Sequence, residues 1–361
     1  MAGGMLCRPY NRPVKGEMYA MNCAPILSVN NLKTYFFTDE GAVRAVDGAS
    51  FAVHPGKTLG IVGESGCGKS VTALSILRIV DDPGRIVEGE IMFRRADGGE
   101  PVDLAKLDAK GGEIRAIRGG EIALVFQEPM TSFSPHYTIG NQIVETIQLH
   151  QDVGKAEART RTIELLRMVG IPRPERRIDE YPFELSGGLR QRVMIAMALS
   201  CNPRILIADE PTTALDVTTQ AQILDLLREI QERTQMSVII ITHDMGVIAE
   251  MADDVIVMYL GRVVESGPVD EIFHRPQHPY TQALLRSIPS IFAEPRTKLP
   301  TIAGSIPHPH NRPAGCPFHP RCADFMPGKC DRHEPQLRPV SASQMASCFL
   351  YHEPAEAPQQ S

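Results

Sequence analysis

The stretch Gly63-Glu64-Ser65-Gly66-Cys67-Gly68-Lys69-Ser70 has the residue types and spacing to hold phosphate. Its glycines let successive backbone N–H groups turn inward around an anion, Lys69 can reach the outer phosphates, and the Ser70 hydroxyl can ligate Mg²⁺. Further along, the apolar run Arg204–Ala208 ends in two carboxylates, Asp209 and Glu210. Downstream of a phosphate loop, Asp209 is suited to hold Mg²⁺ directly or through water, and Glu210 to polarise an attacking water. His243 follows the apolar run Val238–Thr242, and Gln127 follows Glu121–Phe126. Parallel sheets collect their ligands at the carboxyl ends of strands. His243 is therefore expected to contact a γ-phosphate, and Gln127 to touch Mg²⁺ or the water.

The elements that must position these groups can be read from periodicity. Residues 26–62 form short strands: Val43–Val53 alternates partly, and Leu59–Val62 is a buried strand running straight into the loop. Val71–Ile79 has helical apolar spacing, so the loop sits between a strand and a helix, as its chemistry requires. Ala96–Gly120, rich in Gly, Asp and Lys, reads as a surface insertion. From about residue 130 to 200 the pattern is helical, with Ala156–Val169 amphipathic and Gly187–Leu199 a single helix. Helical material inside a strand-rich core predicts an α/β fold of two lobes. After Gly261 proline recurs, marking a separate, less regular C-terminal region. Residues 1–25 mix Arg, Pro and Gly without an apolar signal core and read as a flexible extension, with Met18 or Met21 as alternative starts.

Composition bounds the class. The chain has 361 residues, 43% hydrophobic and 22% charged, which predicts a buried core. A formal net charge of −6 speaks against a nucleic-acid partner held by bulk charge. No apolar run approaches the roughly 18–20 residues of a membrane helix, so the chain is expected in the cytosol, recruited peripherally if it serves a membrane complex. Eight cysteines in a reducing compartment argue against disulfides. Four of them, Cys316, Cys322, Cys330 and Cys348, cluster near the C-terminus, with His319 and His333 between them as substitute ligands. Their spacing lacks the paired Cys-x-x-Cys of zinc ribbons and the common ferredoxin pattern. From the residues alone they define a four-thiolate metal site and no particular metal.

Residues 26–265 resemble the ATP-binding-cassette family, with a RecA-like core and a helical subdomain at about 130–200. Leu185-Ser186-Gly187-Gly188-Leu189-Arg190-Gln191-Arg192 resembles the signature by which that family grips ATP from the opposite side, although Leu189 stands where many relatives carry Gln. By the same resemblance Ala214-Leu215-Asp216 is the loop that speaks across a dimer, and Phe36, or less readily Tyr35, is the aromatic stacked on adenine. The resemblance implies an ATPase that works as half of a pair, one chain's Gly63–Ser70 sealed by its partner's Ser186–Gly188. Val43–Gly48, Phe126–Pro135 and Gln277-His278-Pro279-Tyr280-Thr281 look like the ATP-binding subunits of bacterial oligopeptide and dipeptide importers, nickel importers being close relatives. That implies a second, related ATPase chain, two membrane permeases, a substrate-binding protein and a place at the cytoplasmic face of the inner membrane. It further implies that residues 266–361 form an extension whose four cysteines bind a [4Fe–4S] cluster, with Zn²⁺ or free thiols as alternatives. A DNA-repair or translation ATPase of the same family is disfavoured by the lack of a heptad run between Lys69 and Ser186 and by the single phosphate loop.

Overall fold

The computed structural model describes residues 24–128, 132–288, 302, 304–308 and 310–354. The expected N-terminal extension lies almost entirely outside them. In chain order the strands are β1 (Leu27–Thr38), β2 (Gly41–Val53), β3 (Thr58–Val62), β4 (Gly84–Phe93), β5 (Val102–Asp103) and β6 (Ile122–Val125). They continue with β7 (Ile205–Asp209), β8 (Ser237–Thr242), β9 (Asp254–Tyr259), β10 (Arg262–Pro268), β11 (Arg338–Pro339) and β12 (Met345–Ala346). Two sheets result. One is antiparallel, in the order β2-β1-β4-β5; the other has eight strands in the order β11-β12-β10-β9-β3-β8-β7-β6.

The five strands β9, β3, β8, β7 and β6 are mutually parallel, and each reads as a nearly unbroken apolar run because both of its faces are covered. The alternation inside those runs divides two cores. Leu59, Ile61, Ile205, Ile207, Ile239, Ile241, Ile256 and Met258 point to one side, where β1, β2, β4 and the helix Lys69–Ile76 cover them. Leu206, Val238, Ile240, Val255 and Val257 point to the other, against the helices Ile139–His150, Lys155–Met168, Gly187–Leu199, Val217–Thr234 and Met245–Met251. A one-residue slip of any of these strands would exchange its two faces.

One expectation changes. The stretch 96–120 is more than a surface insertion: Leu104, Ile114 and Ile117 are fully buried in the first core. Three apolar residues scattered among Gly, Asp and Lys show no periodicity, yet each drops under the antiparallel sheet. The C-terminal region is joined to the main sheet. Its β12 pairs with β10 through Glu265↔Ala346 and Ser266↔Met345, and β11 pairs with β12, so residues 338–346 extend the eight-stranded sheet.

Candidate active site

The strand order β3-β8-β7-β6 sets four carboxyl ends side by side. From β3 comes the loop Gly63–Ser70, from β8 His243, from β7 Asp209 and Glu210, and from β6 Gln127. The loop is threaded through a gap that admits no side chain at two points. A Cβ on Gly63 would lie 2.2 Å from the Met258 carbonyl oxygen, and one on Gly68 would lie 2.2 Å from that of Ala45. Gly68 also has φ 100° as the residue that opens the helix Lys69–Ile76, a conformation glycine alone adopts freely. Lys69 is nearly buried, and its Nζ donates to the carbonyls of Gly63 (2.9 Å) and Glu64 (3.1 Å), which holds the ammonium across the loop. Burial keeps the Cys67 thiol neutral by pushing its pKa up, so this residue packs behind the loop. Ser65 and Gly66 lie at its exposed crest.

Asp209 is 8% exposed, and burial pushes its carboxyl pKa up although the Ser70 hydroxyl bonds to it. Its Oδ1 is buried with no hydrogen-bond partner. An orphaned carboxylate oxygen beside a serine hydroxyl and a lysine is costly unless a cation completes it. These residues therefore fit a hard, oxygen-seeking ion such as Mg²⁺, which keeps most of its waters and needs only one or two protein ligands.

Glu210 adopts φ 46°, a left-handed conformation costing on the order of 1 kcal/mol for a non-glycine residue. Its backbone is tied to β8 by the Glu210 N–H to the Ile241 carbonyl (2.8 Å). Its side chain is held from three sides. Gln127 Nε2 donates to Oε2 (3.1 Å), Thr213 Oγ1 donates to Oε2 (2.8 Å), and His243 Nδ1 lies 3.2 Å from Oε1. Burial alone would raise its pKa, but the bonds from Thr213 and His243 outweigh it and hold the carboxyl below the usual range. The result is a fixed carboxylate, ionised at neutral pH. Thr213 belongs to no motif; its only signal is its position three residues after Glu210, at the close of a turn in which the Thr213 N–H bonds to the Glu210 carbonyl.

On β1, Tyr35 and Phe36 face opposite ways. The Tyr35 hydroxyl donates to Asp47 (2.6 Å). Phe36 is half-buried beside Gly84 and Val80, on the same side of the strand as Thr34, whose hydroxyl meets Ser75 of the helix following the loop.

The signature segment lies elsewhere in sequence but meets Asp216 in space. Ser186 opens the helix Gly187–Leu199, and Ser186 and Gly187 are exposed, the serine side chain making no capping bond. Gly188 abuts Thr219, where a Cβ would come within 2.7 Å of a methyl. Thr219 in turn gives its N–H to Asp216 Oδ1 (3.0 Å), the residue capping the helix Val217–Thr234. The helix Gly187–Leu199 thus begins without a side-chain cap, which suits its N-terminus to an anion, whereas the N-terminus of Val217–Thr234 is already capped by the Asp216 carboxylate. Leu189 is half-buried and packs against the second core.

The Gln277–Thr281 segment closes a buried corner. Glu265 accepts the N–H groups of Gln277 (2.7 Å) and His278 (2.9 Å), and His278 Nδ1 accepts the Tyr280 N–H (3.0 Å), starting the helix Pro279–Arg286 with a proline in its first turn. Complete burial lowers the His278 pKa to about 3, so the ring is neutral.

The four C-terminal cysteines converge without forming a single-ion site. Among the described residues no three His, Cys, Asp or Glu side chains group so as to hold one metal ion. The Cys316 N–H bonds to the Cys330 carbonyl (2.8 Å), and the four thiols lie within electrostatic reach of one another. Burial foremost, with the neighbouring thiols adding to it, pushes Cys316 to about 12 and Cys322 to about 11. His319 bonds through Nδ1 to the Cys316 carbonyl (2.9 Å).

A parallel sheet with a phosphate loop, a carboxylate pair and an N-terminal helix signature defines a P-loop ATPase of cassette type. Comparison with known proteins agrees: the family model described as ABC transporter matches residues 46–213, and the one described as oligopeptide/dipeptide transporter, C-terminal region, matches residues 264–330. The chain belongs to the ABC transporter family, as one of its ATP-binding, ATP-hydrolysing subunits. It is 50% identical over 329 residues to the oligopeptide transport ATP-binding protein AppD of Bacillus subtilis, a span covering 91% of this chain and 97% of that one. It is 47% identical to the dipeptide transport ATP-binding protein DppD of Escherichia coli, over 90% of this chain and 96% of the relative. Among solved structures, a dimeric post-hydrolysis state of the ATP-binding cassette MJ0796 with ADP and Pi superposes with a TM-score of 0.59 at 28% identity, covering 67% of this chain and 98% of that one. Among the described residues no helix is long and apolar enough to cross a membrane.

Proposed function

We propose that this chain energises the import of di- and oligopeptides, hydrolysing ATP at the cytoplasmic face of a bacterial inner membrane in company with two permease subunits and a substrate-binding protein. The hold on Glu210 by Gln127, Thr213 and His243 carries the catalytic part. A carboxylate fixed in direction and kept ionised can orient a water and accept its proton as the water attacks the γ-phosphate. His243, 60% exposed, has its Nδ1 beside Glu210, which leaves Nε2 as the ring nitrogen to meet that phosphate. Lys69 and the backbone N–H groups of the loop beyond Glu64 cradle the β- and γ-phosphates, and Phe36 offers a face to adenine. Ser70, Asp209 and Gln127 would hold Mg²⁺, which when bound neutralises charge on the phosphate oxygens.

The peptide assignment is supported by near-full-length similarity to relatives named for oligopeptide and dipeptide transport and by the matching C-terminal region. Pairing with a second, related ATPase chain is supported by the exposed Ser186, Gly187 and Asp216, with the helix after Ser186 left without a side-chain cap, and by the dimeric form of the cassette MJ0796. In such a pair each chain's signature seals the other's nucleotide, and Asp216 faces the partner. For the four cysteines the reading is a [4Fe–4S] cluster rather than Zn²⁺. Four cysteine thiols within electrostatic reach of one another supply the four thiolates that such a cluster takes.

Glu210→Gln tests the catalytic reading: turnover should fall by about 10²–10⁴-fold with ATP binding retained. Undiminished turnover would remove Glu210 from catalysis. Anaerobically purified protein should absorb in the visible and carry about four irons per chain; a colourless chain with stoichiometric zinc would favour the other metal.

A further inference from the structure

The loop Gly63–Ser70 is gripped from outside the cassette. Arg321 forks onto Glu64, Nη1 to Oε2 at 2.7 Å and Nη2 to Oε1 at 3.0 Å, and its side chain is only 4% exposed. The Tyr280 hydroxyl accepts the Glu64 N–H at 2.9 Å. Both residues come from the C-terminal segment, yet both act on the second residue of the phosphate loop, more than two hundred positions away in sequence. Their supports are rigid. Tyr280 is fully buried and packs on Tyr259 and Phe318, at centroid separations of 4.7 and 5.3 Å. Arg321 closes the single turn His319–Arg321, which runs from the buried Phe318 to Cys322, and it reaches the Tyr259 hydroxyl (3.4 Å) as well. A second anchor lies alongside. Asp47, at the loop's flank, takes the Arg312 guanidinium at 2.7 Å, and Gly261 bridges the two regions by accepting the Asp47 N–H (2.8 Å) and donating to the Cys67 carbonyl (2.9 Å).

We propose that the C-terminal segment is a positioning element of the ATP site, with Arg321 and Tyr280 setting the geometry and charge of the phosphate loop through Glu64. The physical need is plain. Glu64 puts a carboxylate at the mouth of a loop built to hold a polyanion, where an unpaired negative charge opposes the phosphates. The bidentate Arg321 cancels that charge and fixes the carboxylate in one direction. Tyr280 binds the Glu64 N–H, which fixes the turn from which the remaining N–H groups face inward. Neither residue touches the nucleotide; they act through Glu64.

This inference rests on the reading that Gly63–Ser70 binds ATP, and the test separates the two. Equilibrium binding of a fluorescent ATP analogue is measured on the full chain for the wild type and for Lys69→Ala, Arg321→Gln, Arg321→Lys, Glu64→Gln, Tyr280→Phe and the Arg321→Gln/Glu64→Gln pair, with folding checked by circular dichroism. Arg321→Gln should raise Kd about tenfold. Arg321→Lys, which keeps the charge but loses the fork, and Tyr280→Phe should each raise it about threefold. The double variant should bind more tightly than Arg321→Gln alone, because the unpaired carboxylate is gone. A purely structural role for the pair predicts the opposite, with Glu64→Gln adding its own loss in full. Wild-type affinity in Arg321→Gln, or an additive double variant, overturns the positioning role. If Lys69→Ala binds as the wild type does, the reading of the loop itself falls. Should Arg321→Gln not fold, Arg321→Lys and Glu64→Gln carry the same comparison.

Discussion

The phosphate loop and the signature segment are both glycine-rich and both lead into helices, yet the protein treats them in opposite ways. Gly63–Ser70 is closed in: backbone atoms of Met258 and Ala45 press on it, Lys69 bonds to its carbonyls, and Tyr280 and Arg321 hold Glu64. Ser186–Gly188 is open: Ser186 and Gly187 face solvent, and the serine hydroxyl makes no cap bond. A binding loop completed by its own chain can be rigid before the ligand arrives, which spares the ligand the cost of ordering it. A helix N-terminus left uncapped and open to solvent has work to do only against something brought to it.

That contrast can be broken most severely at Gly68. In Gly68→Ala the new methyl would overlap the Ala45 carbonyl and force an unfavourable φ, so ATP binding should be lost in an equilibrium titration. Ser186→Ala should separate the two regions: turnover drops by about 10²-fold, the loss typical of one donor aimed at a developing charge, while nucleotide affinity of the isolated chain stays at the wild-type value. Equal losses in both measurements would erase the distinction. At the buried corner behind the closed loop, His278 has a folded-state pKa of about 3, far below its unfolded value of about 6.5. Its contribution to stability is therefore fully present above pH 6.5 and is lost as pH falls from there toward 3, because only the unfolded ring takes up the proton. Thermal unfolding measured across pH 7 to 5 should accordingly show a shallower decline in His278→Gln than in the wild type. The smallest effect is expected at Leu189, whose half-buried side chain packs against the second core. Leu189→Gln should cost about 1 kcal/mol of stability by denaturant titration and leave nucleotide affinity unchanged.

What was legible follows from how local each signal is. The loop Gly63–Ser70, the carboxylates Asp209 and Glu210, His243 and Gln127 all sit at strand ends, and the unbroken apolar runs before them show through periodicity alone. Thr213 was not legible, because a threonine in a turn has many ordinary uses and only its 2.8 Å bond to Glu210 distinguishes this one. Leu104, Ile114 and Ile117 were hidden for the opposite reason, being isolated apolar residues in a polar stretch. The Gln277–Thr281 segment was recognisable as a motif but not as a structure. Glu265, which organises it, lies on β10, and its partners become visible only once the chain has turned back.

By itself the sequence determined which residues are candidates for the chemistry and the elements that bear them, because strand period, helix period and a glycine-spaced loop are properties of neighbouring residues. Only the tertiary structure decided that β3, β8, β7 and β6 lie in that order, so that Gln127 and His243 both meet Glu210. It alone brought Arg321 to Glu64 and joined residues 338–346 to the sheet of the ATP site. Those contacts join residues far apart in sequence, and their positions follow from which apolar faces must be buried together, a property of the whole chain.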